Sequence, residues 1–530
     1  MIFSIALKDF HNNFVSSRFI IGFILCLILI PLSMMVSIND YESQLRIYET
    51  DKKQAEETMK VHVWSALRPE IVKPPEPMSI FCRGVSYNVG NTVKIWFGEK
   101  PLLSTGRNSV RDNPLLNGVF SIDFCTIIAI IMSLLALVFS YDACTGERED
   151  GTLKLIMSNA VSRSKFLLGK SLGVLVTLLP MVVFCYALSI LIVLFYRNIS
   201  FGFDEWLRIV LLFIMSVMLF TLFTAIGIFI SSRFRSSVTS IIMCLFIWVT
   251  TVFIVPNISV YAAQSFVKVR TQENLRFALD GLDRERNNKG REINETIDTS
   301  EAWFMHFNHN TGQDGYRELK GAAKSTYEYY RDLSMIANPL RLEYADKKWP
   351  LQKAYLDELD HQRAVSEILS LFSPSEIFRI TSSMLSRTDA HSHYQFLNRT
   401  RIYREELITY FKDEKLFESF ANFTPLPPED FMDKDTLVNY VTAGKFKTVD
   451  EYYEWSRDRS DIFGVFTVRH PSWDAEAPDL DLSATPQFQW KPATVTSSIK
   501  SAIGKIGVIS LLSIVLFYMS FVSFTRYDVR

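Results

Sequence analysis

The stretch Glu147-Arg148-Glu149-Asp150-Gly151-Thr152-Leu153 sets four charges ahead of a glycine-containing turn, after which apolar Leu153, Leu155 and Ile156 follow. Charge, turn and amphipathic segment in that order make one of two things. One is a short helix on a membrane surface that fits a groove on a soluble partner. The other is an ordinary charged loop anchored by snorkelling Lys and Arg side chains. Gly169-Lys170-Ser171 has the ending of a phosphate-binding loop, but G-x-x-x-x-G-K-[ST] requires glycine at position 164, where this chain has Ser164. It also opens an apolar run instead of following a buried strand, so the chain is not expected to hydrolyse ATP alone. His306 and His309 lie at helical i, i+3 spacing, and His391 and His393 fall in a predicted turn. Neither pair has an H-E-x-x-H arrangement or a Cys companion, so solvated histidines are expected and no metal. No G-x-S-x-G occurs, which leaves a hydrolase triad unsupported and the catalytic and cofactor-binding lists empty.

These residues need elements to hold them, and composition says which kind. Of 530 residues 48% are hydrophobic, 41 of them Phe, yet 21% are charged, too many for a chain that is all membrane. The two figures agree if the apolar residues lie in blocks with charged segments between them. Six blocks reach the ~20 residues that cross a bilayer: Phe19–Ile38, Phe124–Tyr141, Leu167–Phe195, Ile209–Ile230, Val238–Val260 and Ile503–Phe524. The first is too long for a signal h-region and no A-x-A follows, so it reads as an uncleaved anchor. Lys8, Arg18, Arg148, Lys154, Arg163, Lys165, Arg233, Arg235, Arg526 and Arg530 fall on one side, which predicts that side, with both termini, to be cytoplasmic. The spans carry almost none of the central charge that an ion-coupled carrier would need, which favours an external energy source. Pro31, Pro180 and Pro256 read as tolerated membrane prolines, with Pro256 able to bend the fifth span. A net charge of −1 and no basic stripe exclude a nucleic-acid partner.

The division expected is residues 1–38 for an amphipathic N-terminal helix and first span, 39–123 for a first outer segment, and 124–261 for spans two to five with the cytoplasmic segment 142–166. A large outer domain at 262–500 and the sixth span with its tail at 501–530 complete it. The outer domain holds 31 basic and 38 acidic residues, as a water-exposed body should. Ser325–Met335, Leu351–Phe372 and Asn398–Phe420 read as amphipathic helices, as does Tyr41–Val61. Met78–Cys82 and Thr92–Phe97 read as short strands, and Thr424–Pro428 and Pro471–Pro492 as loops. Five cysteines lie in or beside spans and only Cys82 lies outside, so no disulfide within the outer domains is expected. That suits a bacterial envelope protein, and the sequons at Asn294 and Asn422 read as chance matches.

Glu147-Arg-Glu-Asp-Gly-Thr-Leu153, with Ser162-Arg163 and Gly169-Lys170 downstream, resembles the E-R-E-x-G-T-L … R … G-K pattern of ABC-2 type permeases, the membrane subunits of ABC transporters. Ile5, Lys8 and Phe10 are similar to that family's elbow helix. Pro75-Glu-Pro-Met-Ser-Ile-Phe-Cys-Arg-Gly84 and Ser373-Pro-Ser-Glu-Ile-Phe378, continuing through Thr388-Asp389, His391, Phe396 and Tyr403-Arg404, resemble the bacterial subgroup with large periplasmic insertions. Gliding-motility and copper-enzyme maturation permeases are relatives of this kind. The resemblance implies a mainly α polytopic fold with six transmembrane helices, like a type V ABC exporter, plus a largely helical extracytoplasmic domain in the periplasm, and it places the protein in the bacterial inner membrane. It implies that Glu147, Arg148, Glu149, Gly151, Thr152, Leu153 and Arg163 couple the chain to an ABC ATPase subunit present in two copies, which binds ATP and Mg. It further implies a second permease copy or paralogue and leaves room for a periplasmic accessory protein. The rival reading is a membrane-anchored periplasmic scaffold or sensor without transport, motivated by the size of the outer domain.

Overall fold

The computed structural model describes residues 2–85, 90–102, 123–158, 161–296, 310–311, 317–318, 322–457 and 478–525. Among the described residues six helices are long and apolar enough to cross a membrane. They follow a short first helix, α1 (Ile2–Phe14), and are α2 (Ser17–Thr58), α3 (Phe124–Glu149), α5 (Arg163–Leu194), α6 (Phe203–Arg233), α7 (Ser237–Phe266) and α14 (Val495–Thr525); α4 (Thr152–Ser158) joins α3 to α5. At 1.5 Å per residue the 42 residues of α2 reach roughly 60 Å, twice the hydrocarbon thickness. Its charged second half, which corresponds to the helix expected at Tyr41–Val61, therefore stands clear of the bilayer as a direct extension of the span.

Small residues let the spans approach each other. A Cβ on Gly227 of α6 would lie 1.8 Å from Ser140 Oγ on α3, and one on Gly22 of α2 would lie 2.8 Å from Leu135. Hydroxyls inside the bundle bond locally, as a medium without water requires: Ser140 donates to the Ala136 carbonyl, Thr177 to Gly173, Ser189 to Cys185 and Ser216 to Leu212. Tyr186 and Ser216 bond at 2.9 Å between α5 and α6, and Trp248 Nε1 donates to Ser133 Oγ at 2.9 Å between α7 and α3. Pro31 and Pro180 sit inside continuous helices. Pro256 directly follows a π-helical turn at Thr250–Ile254, which takes up its missing amide, and a second π turn lies at Ile128–Met132 in α3.

The two large inserts form one body. In the first, β1 (Glu70–Val72) pairs antiparallel with β2 (Thr92–Lys94) in the register Ile71↔Val93. The run Met78–Cys82 is not the expected strand: Pro77 opens a 3-10 turn, Pro77–Ile80, and the Met78 carbonyl accepts from the amides of Phe81 and Cys82. The second insert holds α8 (Gln272–Thr296), β3 (Asn310–Thr311) paired with β4 (Arg317–Glu318), α9 (Lys324–Leu369), α10 (Pro374–Leu385), α11 (Ala390–Asp413), α12 (Lys434–Val441) and α13 (Val449–Ser456). The helices expected at Ser325–Met335 and Leu351–Phe372 are a single rod, α9, running through Pro339 and Pro350. It is braced along α8 by Lys348–Asp283 at 2.7 Å, Tyr344–Glu285 at 2.6 Å and Lys289–Glu343 at 4.0 Å. Ile71, Val93 and Ile95 of the hairpin are buried with Phe396, Leu397 and Tyr403 of α11, and Trp64 meets Phe411 edge-on at 5.7 Å. Neither insert buries that surface without the other. The junction with the bundle is α10, whose Ile377, Phe378 and Leu385 are buried in the same core as Phe81, Phe124 and Leu219.

Candidate functional site

Two ends of the bundle carry polar clusters, and the buried charges divide between them. At the end bearing α1, the last turn of α3 (Thr145–Glu149) runs into Gly151, whose φ of +73° is the left-handed conformation that ends the helix before α4 restarts at Thr152. The Glu147 carboxylate accepts from Lys170 Nζ at 2.8 Å and Lys8 Nζ at 3.4 Å, and also from the Thr152 hydroxyl. Lys170 is shared with Asp9 of α1 at 3.0 Å. Burial pushes the Asp9 carboxyl above its ordinary value against the pull of Lys170. α1 comes this close because α5 shows it two glycines one turn apart. A Cβ on Gly169 would lie 2.8 Å from Ile5 Cβ, and one on Gly173 would lie 2.7 Å from Asp9 Cβ.

The neighbouring charges of the same stretch also turn inwards. Arg148 donates to the Phe234 carbonyl between α6 and α7. Glu149 accepts from the Ser237 amide at 2.8 Å and hydroxyl at 2.6 Å, at the first residue of α7. Arg163 donates to the Phe524 carbonyl at 2.9 Å, at the C-terminal turn of α14, where a cation meets unpaired carbonyls. Leu153 is buried with Cys144, Phe166, Leu167 and Phe524. Arg18 anchors α2 to α3 through Asp142 at 2.8 Å and the Tyr141 hydroxyl at 2.7 Å. Glu149 stays exposed despite its bonds to Ser237, and Asp150, Lys154 and Leu155 are exposed with it, Leu155 to 69%.

At the other end Arg83 pairs with Asp40, and Arg387 bridges Glu76 at 3.1 Å and Glu205 at 2.8 Å. Arg208 of α6 reaches Ala493 O and Ser498 Oγ, at 2.9 and 3.0 Å, and the Leu385 carbonyl. Gly84, with φ +53°, lies against Thr388, where a Cβ would stand 2.3 Å from the carbonyl oxygen, and the Val85 amide donates to that oxygen at 2.9 Å. Lys73 is buried between the rings of Phe396 and Trp490, and burial lowers its pKa while raising that of Glu76. This collar fastens both inserts to the ends of α2, α3 and α6 opposite the Glu147 cluster.

The family model of the ABC-2 family transporter protein matches residues 3–529, which takes in both polar clusters, all six spans and both inserts. The chain belongs to the ABC-2 family. It is a multi-pass membrane protein, mainly α-helical, of the kind that serves as the permease subunit of an ABC transporter. A comparison with curated proteins found no match.

In this ABC-2 permease the seven residues singled out from the sequence lie in one region, but they do different things. Glu147 and Thr152 touch each other; Arg148 reaches the end of α6, Glu149 the start of α7, and Leu153 and Arg163 the end of α14; Gly151 supplies the turn. Lys170, quoted only as part of the pattern, holds Glu147, and Asp9 was not singled out at all. Asp9 is the only acidic residue before Asp40, a signal that could have marked it. The histidines need correction: His393 is buried, 5% exposed, and burial beside Lys73 lowers its pKa to about 4, whereas His391 is exposed. His306 and His309 lie outside the described residues, as do Arg526 and Arg530. Among the described residues no group of three His, Cys, Asp or Glu is placed to hold a metal ion.

Proposed function

We propose that this permease works without catalytic chemistry of its own, driven by two copies of a separate ABC ATPase that bind ATP and Mg. The observation that carries the reading is the construction of α3. One span runs from the collar at Phe124, through a turn at 141–144 pinned to Ser231 of α6, to Glu149, and its inner end is tied to α1, α5, α7 and, through α4, to α14. A push on α4 reaches every one of those helices at once. The ATPase would sit on the outward edge made by Asp150, Lys154 and Leu155, with Glu147 and Arg148 as the struts behind it. Both termini are then cytoplasmic, as the Lys and Arg distribution requires, and the inserts stand on the periplasmic side of a bacterial inner membrane. A second copy or a paralogue would cover the apolar faces of α7 and α14, the two least buried spans. The output is export of a substrate or movement of the periplasmic body.

The experiment is co-purification of the ATPase with the intact permease, followed by its ATPase rate in liposomes. Leu155→Asp should release the ATPase while the permease keeps its melting temperature. If Leu155→Asp leaves binding and rate unchanged, the outward edge is not the contact. If no ATPase accompanies the wild-type protein under any mild detergent, the scaffold reading takes its place.

A further inference from the structure

Two cysteines far apart in sequence meet where the first insert joins α3. Cys82 follows the Pro77–Ile80 turn, and Cys125 is the second residue of α3; their exposures are 1% and 0%. The backbones are clamped on each side of the pair. The Cys125 amide donates to the Phe81 carbonyl at 3.1 Å, and the Arg83 amide donates to the Asp123 carboxylate at 2.8 Å. The rings of Phe81 and Phe124 close the site edge-on at 5.5 Å. Within that clamp the buried Cys82 and Cys125 thiols lie close enough to influence each other electrostatically. An amide bonded to the carbonyl just before the partner cysteine leaves the two Cα atoms within the span that a disulfide bridges.

The chain contains its own control. Cys26 of α2 and Cys185 of α5 make the same kind of thiol contact, but inside spans, where Cys26 Sγ also lies 3.9 Å from Met132 Sδ. A soluble oxidising protein has no access to sulfurs in the bilayer interior.

We propose that Cys82 and Cys125 are joined by a disulfide in the mature protein. This rests on the orientation argued above, which puts the inserts in an oxidising compartment. The oxidant is a disulfide-carrying thiol oxidoreductase. One thiolate of the pair attacks a sulfur of its disulfide, giving a mixed disulfide and releasing one oxidoreductase thiol. The second thiolate then displaces the other, so an S–S bond forms here as two electrons and two protons reduce the oxidoreductase to its dithiol. Because both sulfurs are buried once the Pro77–Ile80 turn has docked, the reaction precedes docking. Its consequence for function is mechanical. α3 carries Cys125 at one end and Glu147 at the other, so the cross-link makes the collar move with the helix that the ATPase pushes.

The test uses full-length protein in membranes, acid-quenched, unfolded and alkylated with N-ethylmaleimide before and after reduction, then mapped by mass spectrometry. Four of the six cysteines, Cys26 and Cys185 among them, should react without reduction, and a linked Cys82–Cys125 peptide should appear. Reductant should lower the melting temperature of the wild type and leave that of the Cys82→Ser/Cys125→Ser variant unmoved. Alkylation of all six cysteines without reduction overturns the proposal. Protease cleavage of the exposed helix α8 in spheroplasts separates the two readings. If α8 is cut from outside and the pair is reduced, the disulfide alone is wrong. If α8 is protected, the orientation is wrong and the disulfide falls with it.

Discussion

Lys170 is a single ammonium between two carboxylates, with Asp9 at 3.0 Å and Glu147 at 2.8 Å, and all three side chains are at least 88% buried. Taking away one member of such a group leaves an uncompensated charge, which costs about 3–5 kcal/mol where water is excluded. Lys170→Met should therefore lower the melting temperature of the detergent-purified protein far more than Lys8→Met, since Lys8 is 57% exposed and its ion pair adds little. Equal effects would show that Lys170 is hydrated and the cluster is not a strut. At the other end His393 gives a pH dependence. Its pKa of about 4 in the folded protein, against an ordinary 6.5, means that the unfolded chain binds more protons between those values. Stability from this residue is fully present above pH ~6.5, falls as the pH drops towards 4, and amounts to about 3 kcal/mol at most. A His393→Gln protein should show a shallower loss of melting temperature between pH 6.5 and 4.5; an unchanged slope would assign the loss to other groups. The residue-level chemistry was partly legible, since Glu147 to Leu153 stood out by charge and turn. Asp9 and His393 did not, because their importance comes from burial by residues more than 150 and 300 positions away in the chain.

Glycines set how closely helices meet, and α1 depends on two of them. Gly173→Leu should drive α1 off α5, because a side chain there meets Asp9 at its Cβ. Cleavage in the α1–α2 link should then increase, with α2 to α14 still folded. Protection equal to wild type would mean that α1 is held by its membrane-facing side alone. Six apolar blocks were readable as spans because the bilayer demands length and composition whatever the packing. The short element Pro77–Ile80 and the long rod α9 were not. Pro77 turns a β-prone run into a 3-10 turn, and α9 continues through Pro339 and Pro350 while α8 braces it between the two prolines. The seat of α10 in the mouth of the bundle was invisible for the same reason: Ile377, Phe378 and Leu385 look like any amphipathic face until their partners on α6 and α14 are known.

At the scale of the molecule, α3 joins a collar that holds both inserts to a patch that touches α1, α5 and α7. Motion at one end must appear at the other unless the joints yield. The ion pairs at the two ends, Lys170–Glu147 and Arg387–Glu205, are buried, whereas the outward edge of α4 offers Lys154 and exposed Leu155. The account therefore separates binding from transmission, since Leu155→Asp should lose the ATPase and Lys170→Met should keep it but lose its regulation. The most direct measurement is the ATP hydrolysis rate of the partner ATPase co-reconstituted in liposomes with wild-type, Leu155→Asp or Lys170→Met permease, with bound ATPase quantified in each. The account predicts that wild-type permease changes the rate, that Leu155→Asp carries no ATPase, and that Lys170→Met carries ATPase whose rate no longer responds to the permease. An ATPase rate that is the same with and without wild-type permease, or full regulation in the Lys170→Met liposomes, would contradict it.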